Sequence, residues 1–513
     1  MDATQSNLNR LVNFRIYFLV VTLGFSSSSI AQSYLNNRFD LGYQDMGHSI
    51  IKTDSGFVIC SAELNAGPGA HRNIKFVRFS DQLNIVSTYT FGDNFTNYYS
   101  FPGCLITSPD LNDGFILCGS KADTINLSVY GFLMKLNEFG DSLWMKSYIS
   151  SEDLFFLDVK NTNDGGYIIS GITYEFDTDG DALLMKVDSV GNFMWENHYG
   201  GGLFESANSV IQTTDGGYLF VGKKRNSTSW GDGYVVKTNS TGTMQWNRSY
   251  GGSFEDSFEC CFQTSNDSTI IISGSLSVDQ IMPPVGNSFN KPYFLKMNLQ
   301  GDTLWTRVYG DSLYSLNIRS CAETNDGGII ACGNMPDTVT LKQSGLVLKT
   351  NSNGNLEWFQ NYKQITCQNS NNVINEVYPT NSGGYYLIGV LYTVSPDTGT
   401  QDTWILAIDS LGCDYVNCTG VGINEAVTTP AAELFVYYDQ GWQTAFINAD
   451  NLKGRTYNLT IYDIAGKQIF SENGKLFSSY FNKNFNCNAF SSGIYLVNFR
   501  TEKENISRKF VIH

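Results

Sequence analysis

The chain has 513 residues, 49 Gly, only 10 Pro, 14% aromatic residues and a charged fraction of 16%. Such apolar mass excludes ordinary disorder and collagen, and so few charges exclude long charged helices and coiled coils. A formal charge of −16 argues against a general nucleic-acid binder, whose phosphate contacts need clustered Lys and Arg.

The N-terminus carries Arg10 and Arg15, an apolar stretch over 16–25, then Ser26–Ser29 and Ile30-Ala31-Gln32. A basic start, a short apolar core and a small-residue end predict a secretory signal peptide over 1–31, cut after Ala31. Ten or so apolar residues are too few to span ~30 Å of hydrocarbon, so no membrane span is expected after cleavage.

From residue 32 to 419 one unit recurs seven times. Its first signature is a turn followed by an apolar run, as in Asp164-Gly-Gly-Tyr-Ile-Ile-Ser-Gly and Asp215-Gly-Gly-Tyr-Leu-Phe-Val-Gly. The marker position falls at 56, 114, 166, 217, 269, 328 and 384. Its second signature places Lys, then an Asn or Asp two residues on, Gly five on and Trp nine on. Lys186, Asp188, Gly191 and Trp195 show this, with equivalents ending at Trp144, Trp246, Trp305 and Trp358. Asx side chains cap such turns and Gly takes the left-handed backbone position at no steric cost.

Each unit therefore reads as four short antiparallel strands, A to D, with Trp on D. Seven such units predict an all-β, seven-bladed β-propeller, in which ring closure protects the sheet edges. The seventh unit has a C strand, Trp404 to Asp409, but no Trp after it. The segment Asn36-Asn-Arg38-Phe-Asp-Leu-Gly42 resembles the D strand around Trp246, so it is expected to supply the missing strand and latch the ring.

Eleven cysteines give an odd count without a dense framework. Cys413 and Cys418 close a short loop and are the best disulfide candidate. Cys104 with Cys118 and Cys321 with Cys332 are possible strand partners.

In a propeller the A–B and C–D turns emerge on one face, where Asp164, Asp188, Asp215, Asn239 and Asp326 are explained by capping. The other face gathers carboxylates from D–A loops (Asp45, Glu152, Asp153, Glu205, Glu255, Asp256) and B–C loops (Asp177, Asp179, Asp181, Asp232, Asp402). Phe176-Asp177-Thr-Asp179-Gly180-Asp181 alternates carboxylates around a Gly, as calcium loops do, although no Glu stands twelfth. Asp177, Asp179 and Asp181 are thus candidate calcium ligands, and no other cofactor is indicated. The four histidines, His48, His71, His198 and His513, read as surface or turn residues, and no nucleophile, zinc or phosphate-loop motif is present.

Residues 420–432 read as a linker, and 433–513 as a small Ig-like β-sandwich without the blade signature. This last segment carries nine basic and seven acidic residues, so the acidity belongs to the units ahead of it. Its blocks Tyr462-Asp-Ile-Ala-Gly466-Lys467, Gly493-Ile494-Tyr495-Leu-Val and Lys509-Phe-Val-Ile512-His resemble the C-terminal sorting domain of type IX secretion cargo. The usual opening Tyr-Pro-Asn-Pro is absent, and Thr429-Pro-Ala-Ala-Glu433 stands instead. The resemblance implies that Gly466, Lys467, Gly493, Ile494, Tyr495 and Lys509 belong to the sorting motif, with the type IX machinery as a partner. It also implies passage through the periplasm to the exterior or the cell surface. The blade repeats resemble propellers found ahead of such domains, a family without one settled activity. The expected function is a secreted or cell-surface binding module for an extracellular protein or glycan; the alternative is a hydrolase or lyase acting on polysaccharide.

Overall fold

The repeated unit folds as a four-stranded antiparallel sheet in a computed structural model of the chain. Residues 35–414 and 433–512 are described, apart from 66–69, 94, 110–113, 127, 175–178, 226–230, 252–253, 267, 280–287, 311–314, 337–341, 365–369, 394–399, 440–443, 451, 453–455, 477–480 and 488–489. The signal peptide expected over 1–31, the linker over 420–432 and Cys418 lie outside the described residues. The chain divides into two compact units between Gly422 and Ile423.

Sheet four shows how local sequence dictates the unit. Its strands are Glu205–Gln212 (A), Tyr218–Arg225 (B), Gly231–Thr238 (C) and Met244–Tyr250 (D). In the A–B turn the Asp215 carboxylate accepts the Gly217 N–H at 3.0 Å and the Thr213 hydroxyl at 2.7 Å, while Gly216 takes φ 82°. In the C–D turn Asn239 accepts the N–H groups of Thr241 and Thr243, and Gly242 takes φ 78°. The B and C strands are buried on both faces because neighbouring sheets stack against them, which is why they read as continuous apolar runs rather than alternations.

The same order recurs over 44–91, 153–199, 257–308 and 317–362. In the sheet over 96–148 the A strand is split into Thr96–Tyr99 and Leu105–Thr107. The seventh sheet joins Asn371–Pro379, Tyr385–Tyr392 and Gln401–Ile408 to Leu35–Phe39. Each A strand packs on the A strands of the sheets beside it, and that of sheet seven packs on Gln44–Thr53 of sheet one. The described sheets therefore close into a ring with the A strands innermost.

Successive sheets are keyed together by the D strands. Trp144, Trp195, Trp246, Trp305 and Trp358 lie on the C–D turn glycines of the following sheets, Gly191, Gly242, Gly301, Gly354 and Gly412. A Cβ on any of these glycines would come within 2.7–3.2 Å of the indole. Four residues after Trp, the hydroxyls of Tyr148, Tyr199, Tyr309 and Tyr362 donate to the carbonyl oxygen of the same glycine at 2.5–2.8 Å. Glycine is required there twice over, for the positive φ and for the close approach.

The latch expected from Asn36–Gly42 is present as Leu35–Phe39, paired antiparallel with the C strand of sheet seven from Leu35↔Ala407 to Phe39↔Thr403. Arg38 pairs with Asp402, and Asn36 accepts the Trp404 indole N–H at 2.9 Å and donates to the Lys363 carbonyl at 3.0 Å. The seam also changes its key. The latch has Leu35 where five other D strands have Trp, and the facing turn of sheet one has Leu83 where the other sheets have Gly. Leu83 keeps the left-handed backbone, φ 59°, and its buried side chain packs with Phe39, Leu41 and Phe79.

The second unit stacks a three-stranded sheet (Glu433–Asp439, Thr444–Asp450, Phe481–Asn486) on a four-stranded one. The latter runs in the order Gln468–Lys475, Thr456–Asp463, Gly493–Thr501, Asn505–Ile512. Leu434, Ala445, Ile447, Leu459, Ile461, Val497, Phe499 and Phe510 form their shared core.

Candidate functional site

Six A strands carry one residue more than their partners, a bulge at the same register position. Pairing skips His48, Leu157, Asn208, Glu259, Arg319 and Asn375. A bulge re-aims the extra side chain out of the ladder. Here the extra side chains gather around the ring axis. Asn208 donates to the Phe258 carbonyl at 2.9 Å and to Glu259 at 3.2 Å, and Asn375 donates to the Gly47 carbonyl at 2.7 Å. Arg319 lies within electrostatic reach of both Glu259 and His48. His48 was expected on the surface or in a turn, but it is buried within an A strand. Burial first, then Arg319 and Arg72, lower its pKa to about 4, and its Nδ1 lies 2.8 Å from the Ser100 hydroxyl.

Residues that follow the bulges form a second level that ties sheet to sheet. Asp158 accepts the Ser209 hydroxyl at 3.0 Å and the Val210 N–H at 3.1 Å, and Glu376 accepts the Ile50 N–H at 2.7 Å. Ser49 accepts the Gly103 N–H at 3.1 Å. Lys160 pairs with Asp158; burial works against its ammonium, yet that carboxylate holds its pKa above the ordinary value.

Burial pushes the Glu376 pKa up to about 7 against the pull of the Ile50 N–H and Lys160. The folded state thus holds this proton more tightly than the unfolded chain. The associated stability is present in acid and is lost as pH rises from the ordinary carboxylate range through about 7. Glu376→Gln keeps an acceptor without the charge. Its Tm relative to the parent is expected to rise between pH 5 and pH 8, and a pH-independent difference in calorimetry would refute this.

The capping residues stand as expected, but the repeat lysines have a role that spacing did not show. Lys186, Lys237 and Lys349, 1–3% exposed, pair at 2.9–3.0 Å with Asp164, Asp215 and Asp326 in the A–B turns of their own sheets. Burial would raise the Asp164 pKa, but the Thr162 hydroxyl, the Gly166 N–H and the Lys186 ammonium hold it at about 2.

Several carboxylates expected on an open rim are instead buried. Asp45, Glu205, Asp256 and Asp402 are at most 2% exposed. The A strands begin earlier than the sequence suggested, and the Glu205 and Asp256 N–H groups bond to Gly180 and Gly231 of the preceding sheets. Of the candidate calcium ligands, Asp177 lies outside the described residues. Asp179 pairs with Arg225 at 3.3 Å, and Asp181 sits near His198 and Glu152 with its pKa raised by burial. Among the described residues the carboxylates that can share a cation are Asp40, Asp45 and Asp402 at the seam, each offering an oxygen within 4.8 Å of the others. Burial raises the Asp45 pKa to about 7.

Cys413 is disulfide-bonded. Cys104, Cys118, Cys321 and Cys332 are free; the register sets Ser320, not Cys321, opposite Cys332.

In the second unit the three sequence blocks become neighbours on adjacent strands of one sheet. Asp463 faces Tyr495, Leu496 faces Lys509 and Gly493 faces Ile512. Gly466, φ 79°, and Lys467 form the Thr456–Asp463 hairpin turn, where Asp463 accepts the Lys467 N–H at 2.9 Å. Tyr495 is buried and donates to the Ser491 carbonyl at 2.7 Å, whereas Ile494 is 42% exposed and Lys509 is exposed. Among the described residues no helix is long and apolar enough to cross a membrane.

Among curated proteins none matches the chain. Solved structures offer distant likenesses. A protein of unknown function from Dyadobacter fermentans is 7% identical, with a TM-score of 0.39 over 61% of this chain and 97% of that one. A puromycin hydrolase mutant complexed with PGG is 11% identical, with a TM-score of 0.44 over 79% of this chain and 58% of that one. The β-propeller domain of the Trilobed protease from Pyrococcus furiosus, described as having an open velcro topology, is 9% identical, with a TM-score of 0.34 over 75% and 96%. The ring of sheets, rather than these likenesses, carries the propeller assignment. Residues 443–513 match the family described as "Secretion system C-terminal sorting domain", a span that holds all three sequence blocks. The chain is a secreted β-propeller repeat protein with a type IX secretion sorting domain as its C-terminal unit.

Proposed function

We propose that the protein is a seven-bladed propeller whose axial face binds an extracellular protein or glycan. The Ig-like sandwich behind it directs its export from the periplasm to the exterior or the cell surface. One observation carries the binding reading. The bulge position is a different chemical group in almost every sheet: imidazole, aliphatic, amide, carboxylate, guanidinium, amide. A structural role would favour repetition. A ring of unlike groups offers donors, acceptors and both charges to an asymmetric ligand, as polar groups in binding sites do.

The test is a glycan array and an extracellular-protein panel probed with the full chain and with Glu259→Gln and Arg319→Ala. Removing a hydrogen-bonded charge costs about 1.5–3 kcal/mol, so affinity is expected to fall at least tenfold with Tm unchanged. Unaltered binding by both variants would place the ligand elsewhere, and shortened glycan products would favour polysaccharide cleavage.

A further inference from the structure

Two thiols meet across a sheet boundary at the level of the inter-sheet ties. Cys260 follows the bulged Glu259 in the A strand Ser257–Gln263, and Cys321 lies in the A strand Asn317–Glu323 of the next sheet. Their sulfurs stand 2.7 Å apart. The Cys260 sulfur also accepts the Cys321 N–H at 3.2 Å and lies 3.1 Å from the Cys321 carbonyl oxygen. Two unbonded sulfurs do not rest so close, and the gap is less than about 1 Å above the disulfide bond length of roughly 2.05 Å. Asp158 with Val210 and Glu376 with Ile50 hold the same place at other boundaries, in both cases by a carboxylate accepting the next sheet's N–H.

We propose that Cys260 and Cys321 form a disulfide in the exported protein, stapling two neighbouring sheets at their innermost strands. Export places the chain where disulfides persist. The co-reactant is a disulfide, on an oxidase or in a small molecule. Cys260, the more exposed of the two, attacks one of its sulfurs as the thiolate and releases a thiol. The buried Cys321, deprotonated in turn, displaces the second thiol from the mixed disulfide. Two thiols and one disulfide thus become one disulfide and two thiols. The bond closes a loop of 61 residues, and such cross-links stabilise chiefly by restricting the unfolded chain.

The full-length protein, collected after secretion, is alkylated under denaturing, non-reducing conditions and mapped by mass spectrometry. Peptides holding Cys260 and Cys321 are expected as a linked pair two hydrogens lighter than their sum. Cys260→Ser should abolish that pair and Cys261→Ser should leave it. Reductant should lower Tm by roughly 5–10 °C in the parent. A much smaller shift, from Cys413 alone, is expected in the Cys260→Ser/Cys321→Val variant, which borrows the residues found at these positions in sheet four. Alkylation of both thiols in the secreted parent overturns the proposal, as does an equal reductant shift in parent and variant.

Discussion

Removing residues 33–42 is expected to lower Tm by roughly 5–10 °C, the largest effect of any short deletion in the propeller. The latch supplies five rungs to the Gln401–Ile408 strand and, through Asn36, ties it to Trp404 and to Lys363. Without it that strand becomes an open edge. Asp402, fully buried, would lose Arg38 and remain as an uncompensated charge, which costs about 3–5 kcal/mol. At about 2 °C per kcal/mol for a large domain the ion pair alone accounts for most of the shift. Calorimetry checks this, and an unchanged Tm would remove the latch from the account. Arg38→Ala should reproduce most of the loss, and Asp402→Asn in that background should restore part of it.

Trp358→Ala is expected to cost about 3–5 kcal/mol, read as a lower urea midpoint. Trp358 is 6% exposed, lies on Gly412, meets the Tyr385 ring at 6.2 Å and donates its indole N–H to the Ser410 carbonyl at 3.1 Å. Trp246 makes the same kind of contact with Gly301 and Leu299 but is only half-buried, so Trp246→Ala should cost clearly less. Equal losses would show that the indole-on-glycine key is not what burial makes it. Tyr362→Phe removes one hydrogen bond, to the Gly412 carbonyl, and should cost about 1 kcal/mol.

The strands, turns and latch were legible because each is written in a few contiguous residues. Asp215-Gly-Gly and Asn239 to Gly242 state their own backbone geometry, and Asn36 to Gly42 copies a D strand. The sorting blocks were legible for the same reason. What escaped the sequence depends on register. A bulge adds one residue between two apolar stretches and shifts no marker, so Asn208 and Glu259 carry no local sign of facing the axis. The distance from Lys186 to Asp164 follows from strand pairing, the burial of Asp45 from where its A strand begins, and that of Asp402 from the latch laid on its C strand. Cys260 and Cys321 belong to different sheets, and no spacing within one unit brings them together. A signal was available in the lysines: a buried-strand position that keeps Lys in five units requires a partner, and the turn Asp, present in most units, is a carboxylate within the same unit.

The seam marked by Leu83 and Phe39 has a kinetic meaning. The strand at 35–39 precedes the whole ring in the chain, yet its partner at 401–408 comes after all the other blades. In any vectorial process that delivers the chain from its N-terminus, this segment waits unpaired while more than three hundred residues arrive. Closing so long a loop is the slow, entropically costly event of folding. The ring therefore has a defined last step, and until that step the edge beside Trp404 is open to any strand that reaches it first.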